Sequence, residues 1–578
     1  MPILKPFFTL LACLLLSLPA SGLAQSLGSA GTVSGVVADP TGAVIEGATV
    51  VIQNSVTGYR RTVTTDASGA FRFSDVPQNN YQLTVSANGF NTASQSLAVR
   101  TSVPISLSIP LALGEVSTEV TVESSATNVE NIPTSHTDVD QSLIARLPVR
   151  SPGSGLSDVV TFAAPGVVAD SNGFFHSLGD HAQSSIALDN QPISDQSSKA
   201  FSTQPPLSAI QSLEVITGAT PAEYGDKTSL VINAITHSGL GQKKPTGSLQ
   251  MQYGKFGELN PEATLGFGAT KVGNFTAFNF ERSGRFLDAP EIAVLHDEGK
   301  ALSIFDRLDY SPTTKDALHL NVLLARNRFQ IPNTYDQQAL GQDQRQLVRS
   351  LNIAPGYVHI FSPSTVLTVN PYYRLDQIWY YPSADPFSDQ TTTLSQQRRL
   401  TNTGLRADIA YTKGKHNAKF GVQASHTFLT EAFQFGITDP NFNDPKNDTF
   451  LPGLLPFDLT RGGRLFTFNG HTDVKQVAAY AQDAINLGAL TLSAGVRFDN
   501  YAGISKDHLW QPRLGVSYHF KPANTVLRAS YSRSLETPYN ENLIFSSANG
   551  EGGLAGALGG AVTEPLKPGR RHQFNLGV

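Results

Sequence analysis

The chain has 578 residues, 40% of them hydrophobic and 15% charged, with 49 glycines and 34 prolines, which is too long for one ordinary domain and too apolar for a disordered chain. A net charge of -5 and a pI near 6.2 supply no basic field, and this argues against nucleic acid as a partner.

Residues 1–24 carry Lys5, an apolar run from Phe7 to Leu18, Pro19 and the small-residue site Gly22-Leu23-Ala24, the pattern of a secretory signal peptide cut before Gln25. The single cysteine, Cys13, lies inside that run; a lipoprotein reading of Leu10-Leu11-Ala12-Cys13 is the alternative, disfavoured because the apolar run continues past it. The mature chain then has no cysteine, and its core must hold without disulfides. Beyond residue 24 no eighteen-residue apolar run occurs, since even Val159 to Val168 is broken by Pro165-Gly166, so a helical span is not expected. An exported chain of this size is either soluble or crosses a membrane as a barrel, in which strands pair and satisfy their backbone groups.

Residues 25–114 read as a small β-sandwich. Thr32–Ala38, Ala48–Asn54, Tyr59–Thr65, Ala70–Phe73, Tyr81–Ala87 and Val103–Leu113 are rich in Val, Thr, Tyr and Phe, and turn residues such as Asp39-Pro40-Thr41-Gly42 and Asp66-Ala67-Ser68-Gly69 separate them. With Gly47-Ala48-Thr49-Val50, Asn80-Tyr81 and Gly89-Phe90, the order resembles the carboxypeptidase-regulatory-like family. That family takes its name from an accessory domain of metallocarboxypeptidases. None of the 13 histidines begins His-x-x-Glu or His-Glu-x-x-His, so the resemblance is to the accessory module and not to a zinc peptidase.

Residues 115–240 shift to mixed helix and strand. Asp138–Leu147 and Leu207–Leu213 have helical spacing, and Gly155–Phe162 is a third helix candidate. Ser184–Leu188 and Glu214-Val215-Ile216 read as strands, the first running into a turn at Asp189-Asn190-Gln191-Pro192 and the second ending at Gly218. Ala187–Ile193, Ile210–Gly218, Pro221-Ala222-Glu223-Tyr224-Gly225 and Val231–Thr236 resemble the plug domain of TonB-dependent transporters, with Asp189, Asn190, Gly218, Glu223, Tyr224, Gly225 and Asn233 as its motif residues. Two departures stand out: Asn190 replaces a usual glycine, which Asn tolerates in a left-handed turn, and Thr228-Ser229-Leu230 stands where glycines are common. The segment Ser117-Thr118-Glu119-Val120-Thr121-Val122 lies where the resemblance implies a TonB box, an extended strand that the periplasmic protein TonB pairs with by edge addition; the plain alternative is a linker strand.

From 241 to 578, segments of about ten residues alternate strictly, as transmembrane β-strands do. Leu490, Leu492, Ala494, Val496 and Phe498 face away from Thr491, Ser493, Gly495 and Arg497. Phe420 and Val422 oppose Lys419, Gly421 and Gln423, and Leu514, Val516, Tyr518 and Phe520 oppose Arg513, Gly515, Ser517 and His519. An apolar face and an Arg-bearing face suit lipid outside and water inside. Tyr372-Tyr373 and Trp379-Tyr380-Tyr381 suit aromatic girdles. A large soluble sandwich also alternates. Tyr480-Ala481-Gln482-Asp483, Gly495–Asp499, Pro512–Val516 and Arg528–Arg533 resemble strands of the Oar-like branch of TonB-dependent transporter barrels, and with the plug before them the membrane reading prevails.

The expected fold is therefore mainly β: an N-terminal β-sandwich, an α+β plug, and an incomplete transmembrane antiparallel barrel. About fourteen strand candidates stand against 22 in plugged transporters. The chain also stops inside the alternating stretch His572–Val578 without a terminal aromatic residue, from which a truncated gene product with Phe574 and Leu576 on an unpaired edge is expected. Neither a phosphate loop nor a Gly-x-Ser-x-Gly elbow occurs, so no enzyme, cofactor or metal is expected. His176, Asp180 and His181 lack a third ligand at a defined spacing. Asp385, Asp389, Asp439 and Asp444 lie in inter-strand stretches, where a loop uses such residues on substrate or calcium or simply solvates them. The resemblance implies TonB, outer-membrane lipid and a nutrient (carbohydrate, peptide or metal chelate) as partners, with the N-terminal domain in the periplasm. The rival function is a surface or adhesion protein anchored by its barrel.

Overall fold

The structure, a computed structural model, describes residues 30–54, 60–77, 79–99, 105–113, 131–144, 146–147, 153, 155–170, 175–177, 184–194, 202–227, 229–313, 315–362, 364–538 and 567–578. The expected signal peptide, Ser117–Val122, Asp180 and His181 lie outside these residues.

Seven strands come first: β1 (Ala30–Ala38), β2 (Thr49–Gln53), β3 (Arg60–Thr64), β4 (Ala70–Pro77), β5 (Asn79–Ser86), β6 (Ala93–Val99) and β7 (Ile105–Pro110). They form two sheets, β4-β1-β7 and β3-β2-β5-β6. Alternate residues of each point into one shared core, Val33, Val37, Phe71 and Phe73 from the first and Val50, Ile52, Leu83 and Val85 from the second. Two turns repeat one device. Asp39 Oδ1 accepts from the Thr41 amide (2.8 Å), the Thr41 hydroxyl (2.7 Å) and the Ala43 amide (2.9 Å). Asp66 Oδ1 does the same with Ser68 (2.9 and 2.6 Å) and Ala70 (3.0 Å). Gly42 (φ 90°) and Gly69 (φ 67°) take the left-handed position that a side chain would strain. Strand β6 was not expected. Its sequence, ASQSLAV, is polar for a strand, and pairing with β5 holds it.

The next segment holds β8 (Ser135–Asp140), α1 (Gln141–Ile144), α2 (Gly155–Ala163), β9 (Val167–Ala169), β10 (Phe175–Ser177), β11 (Ser184–Leu188), β12 (Gln191–Ser194), β13 (Ile210–Gly218) and β14 (Leu230–Thr236). Five of its strands make a sheet in the order β12-β11-β14-β13-β8. Three expectations are corrected here. Asp138–Leu147 begins as a strand, because Asp138 and Val139 pair with Glu214 and Leu213, and edge pairing overrides the helical spacing. In Leu207–Leu213 only Leu207–Ala209 turns, as a 3-10 helix, before β13 starts at Ile210. The turn after β11 is tighter than expected: Asp189 (φ 47°) and Asn190 (φ 67°) are its two left-handed residues, and Gln191 already belongs to β12.

Fourteen strands follow as a meander, β15 (Thr246–Tyr253), β16 (Leu259–Gly268), β17 (Val272–Ser283), β18 (Gly299–Tyr310), β19 (Asp316–Gln330), β20 (Arg345–Ser362), β21 (Thr365–Tyr381), β22 (Thr392–Lys413), β23 (His416–Ile437), β24 (Phe466–Leu487), β25 (Leu490–Ala502), β26 (Lys506–Phe520), β27 (Thr525–Glu536) and β28 (Gly569–Gly577). Short turns such as Gly414-Lys415 and Gly488-Ala489 join them at one end, and long connections such as 284–298, 331–344 and 438–465 at the other. The 22-residue strands β22 and β23 are about 75 Å long, far more than an apolar band of about 25 Å, so they stand well out of the bilayer at the long-loop end.

Side-chain alternation sets the two faces. Val496 is 39% exposed while Arg497 beside it is 2% exposed. Phe420, Val422, Trp510 and Leu514 are exposed on the outside. Half of the expected girdle turns inward, because period two sends neighbours to opposite faces: the Tyr380 hydroxyl donates inward to Gln344 Oε1 (2.6 Å). Among the described residues β28 pairs only with β27 and β15 only with β16. The sheet is thus an open barrel with Phe574 and Leu576 exposed on its last strand.

Candidate functional site

The five-stranded sheet fills the lumen, and its apolar core is continuous with the wall: Val160, Leu188, Ile210 and Ile232 cluster with Phe275, Ala277, Phe305 and Leu323 of β17–β19. Polar contacts then run round most of the barrel. Asn352 of β20 donates to the Pro192 carbonyl (3.1 Å), and Gln191 donates back to the Pro355 carbonyl (2.7 Å). Arg528 of β27 donates to the Ile132 carbonyl (2.7 Å). Asn131 reaches the Gly488-Ala489 turn, donating to the Ala489 carbonyl (3.0 Å), which puts the start of the plug at the short-turn end.

Charge concentrates where Pro221–Gly225 meets β22–β26. The Glu223 carboxylate accepts from Lys419 Nζ (2.5 Å), Arg406 Nη2 (3.3 Å) and Gln482 Nε2 (3.2 Å). Its carbonyl accepts from Gln423 (2.9 Å), Arg406 (3.2 Å) and Arg497 (3.3 Å). The Arg406 guanidinium lies over the Tyr224 ring (5.4 Å), and Tyr224 Oη accepts from Asn233 Nδ2 (2.6 Å), so three motif residues meet in one network. Arg497 is held by Asp499 (2.7 and 2.8 Å), and Lys419 reaches Asp408 (3.5 Å). Arg513 donates to the carbonyls of Thr220 (2.9 Å) and Pro221 (2.5 Å). Gly225 has to be glycine for a spatial reason: a Cβ there would stand 2.1 Å from Arg497 Nε. Four wall cations, Arg406, Lys419, Arg497 and Arg513, thus surround one plug loop, answered by Glu223, Asp408 and Asp499.

A second anchor sits across the lumen. Asp189 accepts from the Thr236 hydroxyl (2.7 Å) and from Asn321 of β19 (2.7 Å), with Arg307 of β18 at 3.6 Å. Gly218 lies against β28, where a Cβ would be 3.1 Å from Asn575 Oδ1. Asn190 shapes its turn, and its buried side-chain amide has no hydrogen-bond partner among the described residues.

The loop aspartates do not converge. Asp385 caps a turn by accepting from the Phe387 amide (3.0 Å), and Asp439 and Asp444 accept from Asn441 (2.8 Å) and Lys446 (3.0 Å). Asp389 is not solvated at all: it is 1% exposed and accepts from the hydroxyls of Ser383 (2.6 Å) and Thr393 (2.7 Å). Two further acids of the long connections, Asp343 and Asp458, carry no sequence motif that singles them out. Burial alone would raise the Asp343 pKa, but hydrogen bonds from His296 and Arg345 hold it below the usual carboxylate range. Asp458 is likewise held low, against its desolvation, by Thr460 and Arg461. Among the described residues no group of three or more His, Cys, Asp or Glu is placed to hold a metal, and His176 sits in β10, paired opposite Val168. No helix among them is long and apolar enough to cross a membrane.

Known proteins match this architecture in both parts. Residues 295–578 match the family described as TonB dependent receptor-like, beta-barrel. The barrel is that of a TonB-dependent receptor. Residues 32–132 match the carboxypeptidase regulatory-like domain. The TonB-dependent transporter Oar of Myxococcus xanthus is 28% identical over 188 residues, 31% of this chain. The match spans only 18% of Oar's own length. The ferric citrate transporter FecA superposes with a TM-score of 0.55 at 14% identity, covering 77% of this chain and 67% of FecA. The copper transporter OprC gives 0.55 at 14% identity, covering 76% and 68%. At such identity the superpositions establish the fold. The receptor is an outer-membrane β-barrel protein, of a family of receptors and transporters rather than of enzymes.

Proposed function

We propose that this receptor imports a nutrient across the outer membrane by energised displacement of its plug, with 25–114 as a periplasmic sandwich, 115–240 as the plug and 241–578 as the barrel. The observation that carries the reading is the seat of the plug. A lumen of this width leaks unless filled, and the filler is held by side-chain contacts, ionic from Glu223 to Arg406 and Lys419 and apolar with β17–β19, its sheet being separate from that of the wall. Such a seat holds at rest and yields to force applied from the periplasm. The plug begins beside the short turns, at Asn131, and Ser117–Val122 precedes it in the chain, which suits a TonB box whose backbone pairs with TonB. The cargo is a carbohydrate, a peptide or a metal chelate, too large or too scarce for simple pores. Neither a cofactor nor catalysis is part of the reading.

Uptake and surface binding of candidate cargo, compared in cells with and without TonB and in a variant lacking residues 117–122, test it. Binding should persist in all three while uptake occurs only with TonB and the intact segment. Uptake at the full rate in the deletion would contradict the TonB-box assignment. Binding with no TonB-dependent uptake for any cargo would contradict transport itself and favour a surface-binding role.

A further inference from the structure

The outer face of β26–β28 carries, at membrane depth, an arginine with no counterion among the described residues. Arg533 pairs with His572 across β27 and β28, and Pro512 is the next residue of β26 beyond Arg513, whose pairing with Ser532 is the last between β26 and β27. One step towards the short turns the row is Leu514, Tyr531 and Phe574, and Phe574 is 74% exposed. One step towards the long loops are Phe498 and Trp510, their rings 4.8 Å apart and tilted by 46°, with Trp510 61% exposed.

The depth follows from strand geometry. Trp510 and Phe520 lie on one face of β26, about 34 Å apart along the strand. At a tilt of about 40° that is about 26 Å along the membrane normal, close to the height of the lipid-facing apolar band, about 25 Å. Trp510 and Phe520 therefore mark the two girdles, and Arg533 and His572 lie just inside the outer one.

Nearby acids are already engaged. Asp507 pairs with Arg570 (2.8 Å) and Glu536 with Arg571 (3.3 Å). Arg533 forms no ion pair among the described residues, and its Nε is buried without a hydrogen-bond partner. His508 and Lys506 stand exposed on the same face above Trp510. The Tyr531 hydroxyl meets His572 Nδ1 at 2.9 Å; donating there, it leaves the ring proton on Nε2, free to face outward.

We infer that this face is a binding site for a phosphate-bearing lipid headgroup of the outer leaflet, with Arg533 and His572 contacting the phosphate and Lys506 and His508 above it. An unpaired guanidinium at this depth needs an anion, and its planar fork suits phosphate oxygens. Trp510 and Phe574 supply the apolar flanks for the acyl chains.

The two tryptophans of the chain make the test direct. In full-length protein carrying Trp379→Phe, only Trp510 reports, and quenching is read in vesicles containing acyl-brominated phosphatidic acid or equally brominated phosphatidylcholine at the same mole fraction. Phosphatidic acid should quench about fivefold more effectively at low mole fraction, the enrichment expected of one interfacial cation. Arg533→Gln with His572→Gln should abolish the preference; Arg533→Lys and the short-turn control Lys521→Gln should keep it. Quenching by brominated phosphatidylcholine should be equal in all variants, which reports that the barrel is inserted. Equal quenching by both lipids in the parent, or a preference that survives the double substitution, would overturn the site.

Discussion

The sandwich and the plug are both small β units, yet they reach stability by different routes. The sandwich closes on itself: its core of Val33, Ile52, Phe73, Leu83 and Val99 contains no residue of the barrel. The plug does not. Its core includes Phe275, Phe305 and Leu323 of the wall, and its most charged loop is satisfied by Arg406, Lys419 and Arg497. A unit that must stay folded under load needs its own core, whereas one that has to move can draw its stability from its socket.

The largest effect should come from the socket. Glu223→Ala leaves Arg406 and Lys419 buried without their shared anion, and removing one partner of a buried pair costs about 3–5 kcal/mol. The plug should loosen, read as increased permeability to large antibiotics, with the melting of the sandwich unchanged. Phe73→Ala should do the reverse. It empties a fully buried site at a cost of about 3–5 kcal/mol, lowering the melting point of the isolated 30–113 segment without loosening the plug. Gly225→Ala is a smaller version of the first change, because its Cβ displaces the Arg497 guanidinium; overpacking of this kind costs about 1–3 kcal/mol, and permeability should rise less than for Glu223→Ala.

The smallest effect is one of pH. The Ser68 hydroxyl holds the Asp66 pKa below its ordinary 3.8, and the Thr41 hydroxyl does so for Asp39. A carboxylate with a depressed folded-state pKa contributes stability above its unfolded value and loses it as pH falls through the folded one. Thermal melts of the isolated sandwich should therefore be flat above pH 4 and decline below it, and Asp66→Asn should reduce that decline.

The alternation of single strands was legible in the sequence. It placed Lys419, Arg497 and Arg513 together on the polar face before any partner was known, and the plug motif put Glu223 and Tyr224 in view. What local pattern did not carry was which wall residue meets which plug residue. Arg406 and Glu223 are 183 positions apart, and only the curling of the sheet around the plug joins them. The misread elements share one cause. Asp138–Leu147 and Leu207–Leu213 have apolar residues at helical spacing, but both lie where the chain enters the central sheet, and hydrogen bonding to β13 and β14 decided the outcome. In β6 the error was the opposite, a polar strand kept by its neighbour alone.

The central claim is that the plug owes its stability to the wall and the sandwich owes none. Hydrogen–deuterium exchange of the full chain in detergent, with Glu223 and with Glu223→Gln, tests it most directly. Amides of β11, β13 and β14 should lose protection in the variant while those of β1, β2 and β5 keep theirs. Equal loss in both regions, or unchanged protection of the plug strands, would contradict the account.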